Sequence, residues 1–195
     1  MLSHKISLCC LFILCLFCGC SKEPVAEETV ESLETASITK LNSTLSIADC
    51  VNKDGTVEIP FLPYGTSLDT VELSLGLTND DLRKLVLDAN ESGDYSELLF
   101  SFDGIPAYIS SLAVNSDGLY DEIVIDFYYD SINSDEVSLY KDKMLQSIAE
   151  IAPQKQTTQY TSTDGKTTIY CLVMPMEQIA DKPIGLKRLT FFYNY

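Results

Sequence analysis

The chain has 195 residues, 29 of them acidic and 13 basic, for a net charge of −16. That length supports one hydrophobic core and hardly two. An acid excess spread along the whole chain repels polyanions, which excludes nucleic acid as a partner. Tryptophan is absent, and the single histidine is His4.

The first element is an export signal. Lys5 supplies a basic start, Ile6 to Phe17 form a nearly unbroken apolar run, and Cys18, Gly19 and Cys20 follow. A short basic region, a short apolar core and a small residue before a processing point define such a segment. The run falls below the ~20 residues that cross a bilayer as a helix. The stretch Phe17-Cys18-Gly19-Cys20 resembles the lipobox of bacterial lipoproteins, with Phe17 where leucine is usual and Cys18 a less common middle residue. The resemblance implies cleavage between Gly19 and Cys20 and diacylation of Cys20. The protein would then sit on the extracytoplasmic face of the bacterial cell membrane, a partner reached through acyl chains worth about 0.8 kcal/mol per buried CH₂. A plain secretory peptide and an uncleaved anchor are the alternatives. Cys9, Cys10, Cys15 and Cys18 read as small hydrophobes of the export helix rather than a metal or redox cluster. Cleavage removes Lys5 and no acid, so the mature chain is one unit more negative. It also removes His4, which excludes Ser-His-Asp and Cys-His catalysis and histidine-containing zinc sites.

Residues 20–49 read as an acidic tether, poor in aromatics. Its boundary is soft, because 38–48 suits a short helix or strand. The domain is expected over 50–195, opening with a strand or hairpin at 50–59 around Asp54-Gly55. Thr66 or Ser67 is placed to cap a short helix with Leu68, Val71 and Leu75 inward and Gly76 at its end. Asn79 is the expected cap of a second short helix carrying Leu82, Leu85 and Val86, and 88–96 reads as turn. Leu98, Phe100 and Phe102 alternate as a strand, and Tyr108 to Val114 form the next. Ile123, Ile125, Phe127 and Tyr129 mark one apolar face of the clearest strand. The best helix begins at Ser134, with Asp135 and Glu136 suiting its positive end. Its stripe of Val137, Tyr140, Met144, Ile148 and Ile151 runs until Pro153 stops it. Thr157–Ser162 and Thr167–Met174 flank a hairpin turn at Asp164-Gly165, and a last strand covers Leu186–Tyr195. The expected fold class is α+β: an antiparallel sheet with short N-terminal helices and one long helix packed on one face.

The run Phe61-Leu62-Pro63-Tyr64-Gly65-Thr66-Ser67-Leu68, continuing through Val71 to Leu75-Gly76, resembles a pattern in Gram-positive secreted lipoproteins. The layout is also similar to the small α+β modules of beta-lactamase-inhibitor proteins and of outer-membrane assembly lipoproteins. These likenesses imply a binding or scaffolding module rather than an enzyme. They carry over no inhibitory-loop residue.

The residues offer four candidate sites. Asn52-x-Asp54-Gly55 and Asn115-x-Asp117-Gly118 have calcium-loop flavour, but both miss the EF-hand frame and read as hairpin turns. No metal or other cofactor is expected. Cys50 and Cys171 are the cysteines beyond the anchor, either disulfide-bonded or separate buried thiols. The acid pairs Asp80/Asp81, Glu122/Asp126 and Asp126/Asp130 keep an acid-based hydrolase open as an alternative. Tyr108, Tyr128, Tyr170 and Phe192 fall on the second faces of their strands and form a candidate patch for a protein, peptide or glycan. The leading expectation is a non-catalytic binding or structural lipoprotein; an inhibitor of an extracellular enzyme is a further alternative.

Overall fold

The computed structural model describes residues 44–195 apart from Phe61 and Ser131. The predicted cut at Gly19-Cys20 lies outside the described residues, as does most of the expected tether. Among the described residues the fold is mixed α+β, with one eight-stranded, mostly antiparallel sheet and three helices. The strands are β1 (Thr44–Leu45), β2 (Phe100–Phe102), β3 (Ile105–Val114), β4 (Tyr120–Phe127), β5 (Gln154–Gln156), β6 (Gln159–Thr161), β7 (Thr167–Pro175) and β8 (Ile184–Tyr193). Their order across the sheet is β1-β2-β3-β4-β8-β7-β6-β5, and β1 alone pairs in parallel. The helices are α1 (Leu68–Leu75), α2 (Asn79–Ser92) and α3 (Ser134–Ile151).

The domain begins earlier than position 50. Thr44 and Leu45 pair with Ser101 and Phe102 of β2, and a 3₁₀ turn follows over Ile47–Cys50. Leu45, Ile47 and Cys50 are buried in the core. The sequence allowed a short helix or strand over 38–48, and the long-range pairing with β2 attaches these residues to the fold. Of the strand or hairpin expected at 50–59, a tight hairpin forms: Val51 bridges Val57 in antiparallel, the Asn52 N–H donates to the Thr56 carbonyl and the Glu58 N–H to that of Cys50 around Asp54-Gly55.

Of the two expected caps of α1, Ser67 is the one used, accepting from the Thr70 N–H. Local chemistry moves both ends of α2 from their expected places. Thr78, not Asn79, caps α2, in a reciprocal box where Thr78 Oγ1 accepts from the Asp81 N–H and Asp81 accepts from the Thr78 N–H. A hydroxyl and a carboxylate three apart satisfy two end donors at once, which a lone Asn at the next position does not. The helix then runs through the expected turn to Ser92 and ends at Gly93, which takes the left-handed conformation at φ 76°. Helix α3 is capped by Asn133, whose Oδ1 accepts from the Glu136 N–H at 3.0 Å. Its Val137, Met144 and Ile148 are buried, each contributing roughly 1.5–3 kcal/mol.

One face of the sheet is buried across its central strands. Ile123 and Ile125 of β4 stand opposite Phe191 and Leu189 of β8, which stand opposite Ile169 and Cys171 of β7. All six are buried. Strand β8 ends at Tyr193, so Tyr195 is not on the core face. It is half-exposed, stacks on Tyr64 with centroids 4.5 Å apart, and accepts from the Gly65 N–H. No described helix is long and apolar enough to cross a membrane.

Candidate binding face of the sheet

The register that puts Ile125, Leu189 and Cys171 into the core turns their neighbours to the opposite face. Three rows cross it. Tyr108 stands opposite Asp126, then Arg188, then Leu172. Val124 is followed by Thr190, Tyr170 and Gln159. Glu122 is followed by Phe192, Thr168 and Thr161. Strict alternation in β4, β7 and β8 produces this second face. Its solvent-exposed part centres on Tyr170, 44% exposed, and Leu172, 46%, whereas Tyr108, Val124, Asp126 and Thr168 are buried.

The first row is built around an ion pair. Arg188 Nε donates to Asp126 Oδ1 at 2.6 Å and Nη2 donates to Oδ2 at 2.8 Å. Both carboxylate oxygens are taken by one planar fork, the strongest geometry for this pair. The Asp126 side chain is 5% exposed and that of Arg188 is 41%. The hydrogen bonds to Asp126 hold the Arg188 guanidinium above its ordinary pKa. Of the Glu122/Asp126 and Asp126/Asp130 pairs, Asp126 is thus the member engaged by Arg188 through both oxygens.

A tyrosine cluster closes one end of the face. The Tyr95 ring, in the loop after α2, lies 4.9 Å from Tyr108 and 4.8 Å from Tyr128. Its hydroxyl bonds to Asn90 Oδ1 at 2.6 Å. Burial pushes the Tyr108 hydroxyl well above its usual range, and the nearby Asp126 charge adds to the effect.

The register puts Tyr108, Tyr170 and Phe192 on the second face, and the shared contact with Tyr95 brings Tyr128 to Tyr108. Tyr108 is only 4% exposed, however, so it supports the face from beneath and does not belong to a surface patch. Sequence reasoning missed Tyr95, Leu172 and Arg188. The exposed alternation Tyr170-Leu172-Met174 was readable along β7, whereas a loop tyrosine folding over another strand leaves no periodic signal.

The remaining candidates resolve differently. Cys50 and Cys171 are separate free thiols, both buried, and the open bridge between them is not formed. Burial pushes the Cys50 thiol far up and Cys171 to about 12. The Asn52 segment is a tight turn in which Asp54 Oδ1 accepts from the Thr56 N–H. In the second turn, Asn115 Oδ1 accepts from the N–H groups of Asp117 and Leu119. Among the described residues no group of three or more potential metal ligands converges. Beside the end of α2 lies a cleft of about 220 Å³ lined in part by Leu85, Asp88, Asp94, Glu97 and Leu98. Asp94 there is occupied by the Ser96 N–H.

No protein-family model, curated protein or solved structure matches the chain. The functional reading therefore stands on the residues and their geometry.

Proposed function

We propose that this is an extracytoplasmic lipoprotein, held to the bacterial membrane by acyl chains on Cys20, whose domain binds or scaffolds rather than catalyses. The membrane half of this reading is supported by the sequence Lys5, the apolar run to Phe17, and Gly19-Cys20. The binding half is carried by one observation. The sheet face opposite the core exposes Tyr170 and Leu172 around a half-exposed, rigidly held Arg188. Tyrosine and arginine are enriched among the residues that dominate protein recognition, because each brings contact area together with directed polar groups.

The two-sided layout belongs to the same reading. A long helix on the core side belongs to that layout: contact between α3 and β8, and burial of Val137, Met144 and Ile148, support it.

Metabolic labelling with a clickable palmitate analogue tests the anchor. The wild-type chain takes up label and fractionates with membranes, while Cys20→Ala does neither. Label persisting in Cys20→Ala, or absent from the wild type, overturns the anchoring half.

A further inference from the structure

The second sheet face departs from the rest of the chain in its charge. In a protein with a net charge of −16, its three rows hold one aspartate, one arginine and one glutamate. Asp126 and Arg188 neutralise each other in a two-pronged pair. Glu122 makes no close ion pair among the described residues, and its charge acts on Arg188 only from a distance. The rest is Tyr, Phe, Leu, Val, Thr and Gln. Loss of charge with enrichment of aromatics and arginine is the compositional mark of an interface centre.

Its size narrows the occupant. From β4 to β6 the face spans three inter-strand spacings, about 14 Å, and from Arg188 to Phe192 it runs about 14 Å along the strand. A side-chain width added at the margins gives about 400 Å² per partner, half of the ~800 Å² that a stable globular interface buries on each side. A second copy of this chain, with its own excess of acid, would gain too little area here. A short peptide segment, about 10 Å wide as a helix and narrower as a strand, matches the face.

The geometry points to a peptide-binding site on this face, for a segment of another protein that lays apolar side chains against Tyr170, Leu172 and Phe192. The segment places one basic residue opposite Glu122, the single uncompensated charge. This deepens the binding reading above and rests on it, but not on the lipid anchor.

A library of immobilised 12-residue peptides tests the site, using the chain from Ser21, which contains every described residue of the fold. The library combines apolar positions with one variable position occupied by Lys, Glu or Ser. Retention of Lys peptides about tenfold above Glu peptides is expected, and Tyr170→Asp with Phe192→Asp abolishes it. Glu122→Lys reverses the preference toward Glu peptides, an outcome that a purely structural role for Glu122 does not produce. Circular dichroism melts confirm that each variant is folded, and Leu139→Asp on exposed α3 serves as the surface control. Retention that ignores the variable position, or survives the Tyr170/Phe192 changes, overturns the proposal. So does concentration-dependent dimerisation abolished by those changes, or binding of glycans in place of peptides. Because acylation plays no part in this assay, failure of the anchor and failure of the site are read separately.

Discussion

Replacing Arg188 by methionine removes the fork that neutralises Asp126. The carboxylate is 5% exposed and loses two hydrogen bonds of 2.6 and 2.8 Å. Breaking a fully buried pair by removing one partner costs roughly 3–5 kcal/mol. Arg188 is 41% exposed, so water reaches part of the vacated volume and the cost falls to about 2 kcal/mol. That is about a 30-fold loss in the folding equilibrium. With a denaturant slope of ~2 kcal/mol/M, the urea midpoint drops by about 1 M at unchanged slope. The decisive arm is the double variant Asp126→Leu/Arg188→Met. It deletes both charges, leaves no orphaned carboxylate, and returns the midpoint to within about 0.5 M of wild type. If Arg188→Met leaves the midpoint within about 0.2 M of wild type, or the double variant is as unstable as the summed singles, the argument from an unpaired buried charge is wrong.

Other consequences follow from packing and titration. A Cβ at Gly185 would lie 2.6 Å from Val137 Cγ1 and 3.0 Å from Met176 Cγ, both buried. Gly185→Ala therefore costs about 1–3 kcal/mol in chemical denaturation; an unchanged midpoint would show that α3 yields without strain. A thiol reagent should leave Cys50 and Cys171 unlabelled in the native protein and modify both in denaturant, as intact-mass measurement reads directly. Fast native labelling at either one contradicts their burial. Hydrogen bonds from the Ser46 and Thr78 side chains hold the Asp49 and Asp81 carboxylates below their usual range. Folding then favours their ionised forms, so this contribution is complete above roughly pH 4 and is lost as pH falls through the lowered values. Melting temperature should drop on acidification below that point, less steeply in Thr78→Ala; identical profiles would remove the α2 box from the account. Finally, a fragment starting at residue 50 lacks β1 and Ile47 and should melt lower and less cooperatively than one starting at Thr44, as calorimetry would show.

The sequence determined most of the local structure. Alternation of Ile123, Ile125 and Phe127 defined the central strand, the spacing of Val137, Met144 and Ile148 defined α3, and Asp164-Gly165 fixed a turn, because these signals lie within a few residues of one another. It also supplied the Gly19-Cys20 pattern on which the localisation reading depends. Tertiary structure decided what depends on distant partners. Polar Thr44 becomes a strand residue because Ser101 lies beside it. Tyr108 becomes support rather than surface because Tyr95 returns over it. Cys50 and Cys171 remain separate thiols in the folded chain. Above all, Arg188 can neutralise Asp126 only once β8 has inserted beside β4, 62 residues away in the chain. A periodic pattern records which face a side chain takes, but only the folded sheet determines which charges meet there and which one, Glu122, is left unpaired.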